Sequence, residues 1–351
     1  MKGNEAMCEA AIQAGCRYFF GYPITPASEQ AEYMARRLYE EGGVYLQAES
    51  EVAAANMVLG AAGAGARVMT ATSGPGFSLM QEAVSAIAGS EIPSLFVNIS
   101  RGGPGTGNIG PSQADYFQAC KGGGHGDYRN IVLAPSSVQE AADLIFDGFD
   151  LADRYRMAVV VLADGFLGQM MEPVEFRRRD VSSLPEKPWA ATGAKGRPKN
   201  IINSYWLKEE VLEALNERLQ AKYRDVAAKE KRWEEYLVDD ADIVLVAYGT
   251  VGRISRSVVE AAREEGIRAG LVRPITLWPF PDEPISRLAG KTKAFLVVEM
   301  SAGQMLEDVR LAGCDKSPVY FNGRMGGMIQ YPDEILREVE KIADSLGVSW
   351  R

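Results

Sequence analysis

Residues 70–83 read TATSGPGFSLMQEA. The preceding run, ARVMTAT, has the apolar and β-branched character of a strand. At Ser73-Gly74-Pro75-Gly76 the chain turns, and a helical pattern, SLMQEAVSAIAG, begins at once. A strand joined to a helix through a glycine turn is the building unit of α/β folds, and glycine permits the tight backbone path. The turn is not a Walker loop, because no Gly-Lys-Ser/Thr follows. It also lacks the GxGxxG spacing of a dinucleotide fold.

The same alternation runs outward in both directions. Upstream, AMCEAAIQAG is helical, with Asn4 expected as N-cap and Gly15 at C′. YFFGY reads as a strand, 26–40 as an amphipathic helix, VYLQA as a strand and 51–63 as an Ala-rich helix. Downstream come the strand PSLFVNIS and a loop over 101–127 with nine glycines, too long to be a mere connector. The strand NIVLA follows, then a helix opened by a capping box from Ser137 to Glu140, then the strand MAVVVLAD. Strands that are apolar almost throughout imply a parallel sheet covered on both faces. Residues 1–172 are therefore expected to form one α/β domain. Residues 173–240 read as a linker with a long charged helix over 206–238, and 241–351 as a second, smaller α/β domain with strands in DIVLVAYG, AGLVRPITLWPFP, AFLVVEM and VYFNGR.

Composition narrows the function. The chain has 351 residues, 46% of them hydrophobic, enough for sizeable cores. A net charge of −9 argues against nucleic acid and anionic membranes as partners. No apolar run reaches membrane-spanning length, and the N-terminus lacks a signal peptide's apolar region; the expectation is a soluble cytoplasmic protein. Cys8, Cys16, Cys120 and Cys314 are too scattered for an iron–sulfur cluster or structural zinc, and read as reduced, mostly buried thiols. The single histidine, His125, sits in GGGHGDY. No metal site is expected in this chain.

Ligands of open parallel sheets lie beyond the carboxyl ends of the strands. Three such ends carry unusual residues: YPITP, QAESEVAAA and SRGGPG. Thr25, Glu51 and Arg101 would meet on one rim. Each also has an ordinary reading. Thr25 with Pro26 can start a helix, Glu51 can answer a helix dipole, and Arg101 can pair on the surface.

The order Glu51, Ala-rich helix, strand, TSGPG resembles the pyrimidine-binding domain of thiamine diphosphate enzymes. With GYPITPASE, QAESEVAA, RGGPGTGNIGPSQADYFQ and GGGHGDYR, the chain resembles the alpha subunit of the 2-oxoacid:ferredoxin oxidoreductases, of the type that oxidises branched 2-oxoacids such as 3-methyl-2-oxobutanoate. VAYGTVGRISR and GLVRPITLWPFP are similar to the transketolase C-terminal-type domain of that family.

The resemblance implies roles for particular residues. Glu51 matches the glutamate that hydrogen-bonds N1′ of the cofactor's aminopyrimidine and promotes loss of the C2 proton; Glu49 is the nearby alternative. Thr25 matches the threonine near the reactive carbon, and could both cap its helix and face the substrate. Arg101 matches the arginine that holds the substrate carboxylate. Pro23, Ile24, Ser73 and Gly74 would line the cofactor, and His125 is a candidate for substrate contact. The diphosphate and Mg²⁺ normally need a GDG motif with a downstream asparagine. LADGFLG (162–168) lacks the leading glycine and reads as a strand-end turn. The resemblance thus implies half a thiamine diphosphate site here, with the diphosphate and Mg²⁺ on a beta subunit and iron–sulfur clusters on other chains. It also implies a gamma subunit, a ferredoxin-like delta subunit, coenzyme A as co-substrate and ferredoxin as electron acceptor. The 2-oxoglutarate type is the alternative within the family. A non-catalytic scaffold subunit is the alternative of another class, and a self-sufficient acetolactate-synthase-like enzyme is disfavoured by the missing diphosphate motif.

Overall fold

A computed structural model describes residues 1–313 and 316–348. The first region runs α1 (Gly3–Gln13), β1 (Tyr18–Gly21), α2 (Ser28–Glu40), β2 (Val44–Gln47), α3 (Glu51–Gly63), β3 (Val68–Thr72), α4 (Pro75–Ser90) and β4 (Ser94–Ser100). It continues with α5 (Tyr116–Cys120), β5 (Ile131–Leu133), α6 (Val138–Tyr155), β6 (Ala158–Asp164) and α7 (Gly165–Gln169). The second runs α8 (Glu209–Lys229), β7 (Trp233–Tyr236), β8 (Ile243–Val246), α9 (Gly249–Glu264), β9 (Ala269–Pro274), β10 (Thr276–Trp278), α10 (Asp282–Leu288), β11 (Ala294–Glu299), α11 (Gln304–Leu311), β12 (Val319–Gly323) and α12 (Pro332–Ser345).

Among the described residues these strands make two sheets, in the orders β10-β5-β6-β4-β3-β1-β2 and β12-β11-β8-β9-β7. Both are parallel except at one edge, where β10 and β7 run antiparallel to β5 and β9. The strands β3, β4 and β6 are buried along their whole length, because helices cover both faces. One face packs on α1, α2, α6 and α8. The other packs on α3, α4 and α5 and runs on into the second sheet's inner face, where Val132, Val160, Val244 and Phe295 share one core. The second sheet's outer face is closed by α9 and α12.

Several local expectations change. Asn4 is not a cap; α1 begins at Gly3, and the fully buried Asn4 amide instead donates to Pro26 O at 2.8 Å and Glu29 Oε2 at 3.0 Å. Gly15 does stand just past the helix, at φ +93°. Thr25 does not cap α2. That helix starts at Ser28, preceded by a turn in which Ala27 N donates to Ile24 O at 2.8 Å. Ser137 caps α6 through Glu140 N, but the Glu140 carboxylate turns to Ser136 N and to Arg273 of β9. The charged helix spans Glu209–Lys229 rather than 206–238, and buries Leu215, Leu219, Tyr223 and Val226 on the first core. The stretch AGLVRPITLWPFP is two strands, not one: β9 stays in the second sheet, and β10 crosses to the first.

The glycine-rich loop over 101–127 is tied to the second sheet along its length. Gln113 N donates to Met300 O, Gln113 Oε1 accepts from Met300 N, and Gln113 Nε2 donates to Tyr248 O, each at 2.9 Å. Tyr116 OH donates to Asp308 at 2.6 Å, and Asn108 Nδ2 to Gly326 O at 2.7 Å. These bonds satisfy backbone groups that a long coil would otherwise leave to water.

Candidate active site

Four neighbouring parallel strands, β4, β3, β1 and β2, end on the same side of the first sheet. Their ends lead directly to Arg101, to Ser73-Gly74, to Pro23-Ile24-Thr25 and to Glu49–Glu51. The sheet order therefore brings these residues to one rim.

The Ser-Gly-Pro-Gly turn is its centre. Gly74 opens α4 at φ +33° and ψ −93°, a path that disfavours a side chain. Its N–H donates to Asn98 Oδ1 at 2.9 Å, and Asn98 Nδ2 donates to Asp115 Oδ2 at 2.9 Å. Because the backbone N–H fixes which end of the Asn98 amide accepts, the amide must donate towards Asp115. Burial pushes the Asp115 carboxyl above the usual range, against the pull of Asn98 and the Arg101 guanidinium. Neither Asn98 nor Asp115 was singled out from sequence. The one available signal is an amide inside the otherwise apolar end of SLFVNIS.

On one side of the turn stands Glu51. Ser50 caps α3, its Oγ accepting from Ala53 N at 3.2 Å, and so holds Glu51 at the first helical position. Glu51 is 6% exposed, whereas Glu49 is exposed. A Cβ at Gly76 would stand 2.7 Å from Glu51 Oε1 and would overlap Thr72 Oγ1. Glycine at 76 thus allows the start of α4 to press against the carboxylate. Gly76→Ala should destabilise the chain by about 1–3 kcal/mol, as overpacking does, and should also displace Glu51. Thermal melting and activity of the assembled enzyme check this; a variant unchanged in both would separate Gly76 from the Glu51 pocket.

On the other side stands Arg101, 9% exposed. Its Nη1 donates to Thr25 O at 2.7 Å and its Nη2 to Thr106 O at 2.9 Å. Two carbonyls thus set the plane of the guanidinium while leaving N–H groups over; Nε has no partner. Thr72 Oγ1 and Ser73 Oγ are likewise buried without partners. Buried polar atoms without partners are uncommon in a folded chain, and here three of them gather at one turn. The Thr25 side chain is exposed, as is Pro23, and Ile24 is half-buried. From Gly74 and Arg101 a cavity of about 480 Å³ extends towards Ser301, Ala302 and Met325 of the second region.

His125 does not join this rim. It lines a separate cavity of about 250 Å³ with Glu82, Ser85 and Leu212, beside α4 and α8, and its carbonyl accepts from Ser85 Oγ. The loop around it wraps Gln81, which explains two of the three consecutive glycines: side chains at 123 and 124 would strike Gln81, while Gly122 sits at φ +86°. Asp164 is the N-cap of α7, accepting from Phe166 N at 2.9 Å and Leu167 N at 3.2 Å. Cys8, Cys16 and Cys120 are buried and free. Burial pushes the Cys16 thiol up to about 12 and raises Cys8 and Cys120 as well. Burial thus favours the neutral thiol at all three; Cys314 lies outside the described residues.

Residues 9–231 match the family described as pyruvate flavodoxin/ferredoxin oxidoreductase, thiamine diP-bdg, and residues 241–335 match pyruvate:ferredoxin oxidoreductase core domain II. The chain is 53% identical to a ketoisovalerate oxidoreductase subunit VorB of Methanothermobacter marburgensis, over 98% of this chain and 97% of the relative. It is 40% identical to a 2-oxoglutarate synthase subunit KorA of the same organism, over 97% of both. Among solved structures, a 2-oxoglutarate:ferredoxin oxidoreductase from Magnetococcus marinus, with 2-oxoglutarate, coenzyme A and succinyl-CoA bound, superposes with a TM-score of 0.84 at 30% identity. The match covers 97% of this chain and 64% of that one.

Proposed function

The chain belongs to the pyruvate flavodoxin/ferredoxin oxidoreductase family, and from that premise we propose that it is the alpha subunit of a thiamine-diphosphate-dependent oxidoreductase for branched 2-oxoacids. The observation that carries the site is the gathering of Glu51, the unpartnered Thr72 and Ser73 hydroxyls and Arg101 around one glycine turn. A buried carboxylate with unpartnered polar atoms nearby fits the aminopyrimidine half of thiamine diphosphate. Bound there, the cofactor would supply the electron sink for decarboxylation.

The work of this chain is positional and protonic. With the cofactor bound, the buried Glu51 carboxyl would make a hydrogen bond to a ring nitrogen, in a place sheltered from water where such a bond is strong. Arg101 takes the substrate carboxylate with the N–H groups left free by Thr25 O and Thr106 O. Thr25 has its carbonyl fixed by that arginine and its hydroxyl free to face the substrate. The Asn98–Asp115 pair keeps Gly74 in its unusual conformation. Pro23 and Ile24, at the same strand end as Thr25, would line the cofactor. The diphosphate and Mg²⁺ are assigned to a beta subunit, because the Asp164 carboxylate is taken up by two α7 N–H groups. Iron–sulfur clusters are assigned to a ferredoxin-like delta subunit, and a gamma subunit completes the complex. Coenzyme A accepts the acyl group and ferredoxin the electrons, in the cytoplasm. Among the described residues no helix is long and apolar enough to cross a membrane.

Ferredoxin or viologen reduction by the assembled complex, measured across 2-oxoacids, tests the reading. The highest kcat/KM should fall on 3-methyl-2-oxobutanoate. Preference for 2-oxoglutarate would transfer the chain to the 2-oxoglutarate type, the second reading favoured by its 40% identity to KorA. Activity that survives every Glu51 substitution would leave only a scaffold. The isolated chain should bind thiamine diphosphate weakly and show no iron–sulfur absorbance. Tight, Mg²⁺-dependent binding by this chain alone, read by calorimetry, would overturn the division of the site.

A further inference from the structure

We propose that Met325, delivered by the loop after β12, selects the substrate's acyl chain, accepting an apolar tail and rejecting a second carboxylate. The inference rests on the function proposed above and concerns the same site.

The cavity that begins at Arg101 is charged at one end only. Arg101 and Asp115 are the ionisable side chains among its described lining, and both flank Gly74. Phe117, Ala302 and Met325 are among the apolar side chains of its lining beyond the glycine turn, and the polar ones there are already engaged: Gln118 Nε2 donates to Ser78 Oγ, Ser301 Oγ to Glu299 and Gln304 Nε2 to Ala114 O. One carboxylate can pair with Arg101. A second, at the end of a dicarboxylic acid, would find no further cation among the described lining, with Asp115 as the other charge in the cavity. An unpaired carboxylate removed from water is strongly disfavoured. A branched aliphatic tail gains from the apolar side chains, and the flexible methionine adapts to its shape.

The fold sets Met325 in place by backbone contacts. Asn108 Nδ2 donates to Gly326 O at 2.7 Å, and Met328 N donates to Met325 O at 3.3 Å. The backbones at Gly102 and Gly327 approach so closely that a Cβ at 102 would stand 2.8 Å from Gly327 N. The neighbouring cation is turned away: Arg324 Nη1 donates to both Glu334 carboxylate oxygens at 2.8 Å. Met325 is itself 61% exposed in this chain, so the fold does not depend on its side chain. Met325 reaches this cavity from more than two hundred residues beyond Arg101 in the chain.

The test uses the assembled complex and the ratio of kcat/KM for 3-methyl-2-oxobutanoate to that for 2-oxoglutarate. Met325→Leu keeps an apolar wall and should hold the ratio within about threefold. Met325→Arg places a cation opposite Arg101 and should shift it towards 2-oxoglutarate by at least about tenfold, the low end of what pocket contacts discriminate. Inhibition constants of unreactive acylphosphonates with isopropyl or carboxyethyl tails should move in parallel, and report binding even where turnover is lost. A ratio unchanged in Met325→Arg, by turnover or by inhibition, overturns the assignment. A wild-type complex that turns over no 2-oxoacid at all would instead remove the function on which it rests.

Discussion

Glu51→Gln should lower turnover of the assembled enzyme by about 10²–10⁴-fold, the usual worth of a positioned proton-transfer group, with assembly and melting temperature near wild type. Glutamine keeps the shape at the start of α3 and still fits beside Gly76. It cannot share a proton with a ring nitrogen as a carboxyl does. Glu49→Gln is the internal control: that side chain is exposed two positions earlier, while Glu51 is buried against the glycine turn. The control should lose little. Steady-state ferredoxin reduction by both variants decides the matter. A large loss at Glu49 with a tolerant Glu51 would mean that the exposed carboxylate, completed by a partner chain, is the working one.

Arg101→Ala should cost about thirtyfold or more in kcat/KM for every 2-oxoacid, since truncating one member of a buried charge pair costs roughly 2–5 kcal/mol. The breadth follows from chemistry: all these substrates carry the same carboxylate. Arg101→Lys should recover only part of the loss. The native guanidinium spans two carbonyls, Thr25 O and Thr106 O, with N–H groups to spare, and an ammonium cannot reproduce that fork. The alanine variant also releases Thr25 O and the 102–110 loop, so it removes a binding group and loosens its frame; the lysine variant keeps the charge and separates the two. The measurement is kcat/KM with 3-methyl-2-oxobutanoate, pyruvate and 2-oxoglutarate. Equal values for wild type and variants would take Arg101 out of the site, and a loss limited to 2-oxoglutarate would make it a side-chain reader.

What the sequence disclosed and what it hid divide along physical lines. The alternation of apolar strands with helices was legible because period and turn chemistry are local, and parallel pairing then fixed which strand ends share a side. That is why Thr25, Glu51 and Arg101 could be placed on one rim from the sequence, while Ser73 and Gly74 entered through the family resemblance. The failures at Asn4 and Thr25 are long-range. Asn4 has the right residue type for a cap, yet its amide is claimed by Pro26 and Glu29, more than twenty positions on. Thr25 precedes a proline as helix starters do, but its carbonyl serves Arg101 and the helix waits until Ser28. The nine glycines in 101–127 mark a loop too long to be a mere connector. Several of them admit close approach, to Gln81 in one direction and to Gly326 and Gly327 in the other. His125 drew notice by being unique, and uniqueness carries no geometric information. Asn98, Asp115 and Met325 are ordinary residues by type, and only the fold gives them their neighbours.

The three-residue strand Thr276–Trp278 governs how this chain can be cut. It takes the outer side of β5, and Ala134 N donates to Ile275 O at 2.8 Å just beside it. A fragment ending at 240 would uncover Ile131–Leu133, a wholly apolar strand with its backbone groups open along one side. Such a margin recruits a strand from another molecule and leads towards aggregation. The complementary fragment would carry Thr276–Trp278 with nothing to pair against. A cut at 240 would therefore leave both pieces with an unpaired strand.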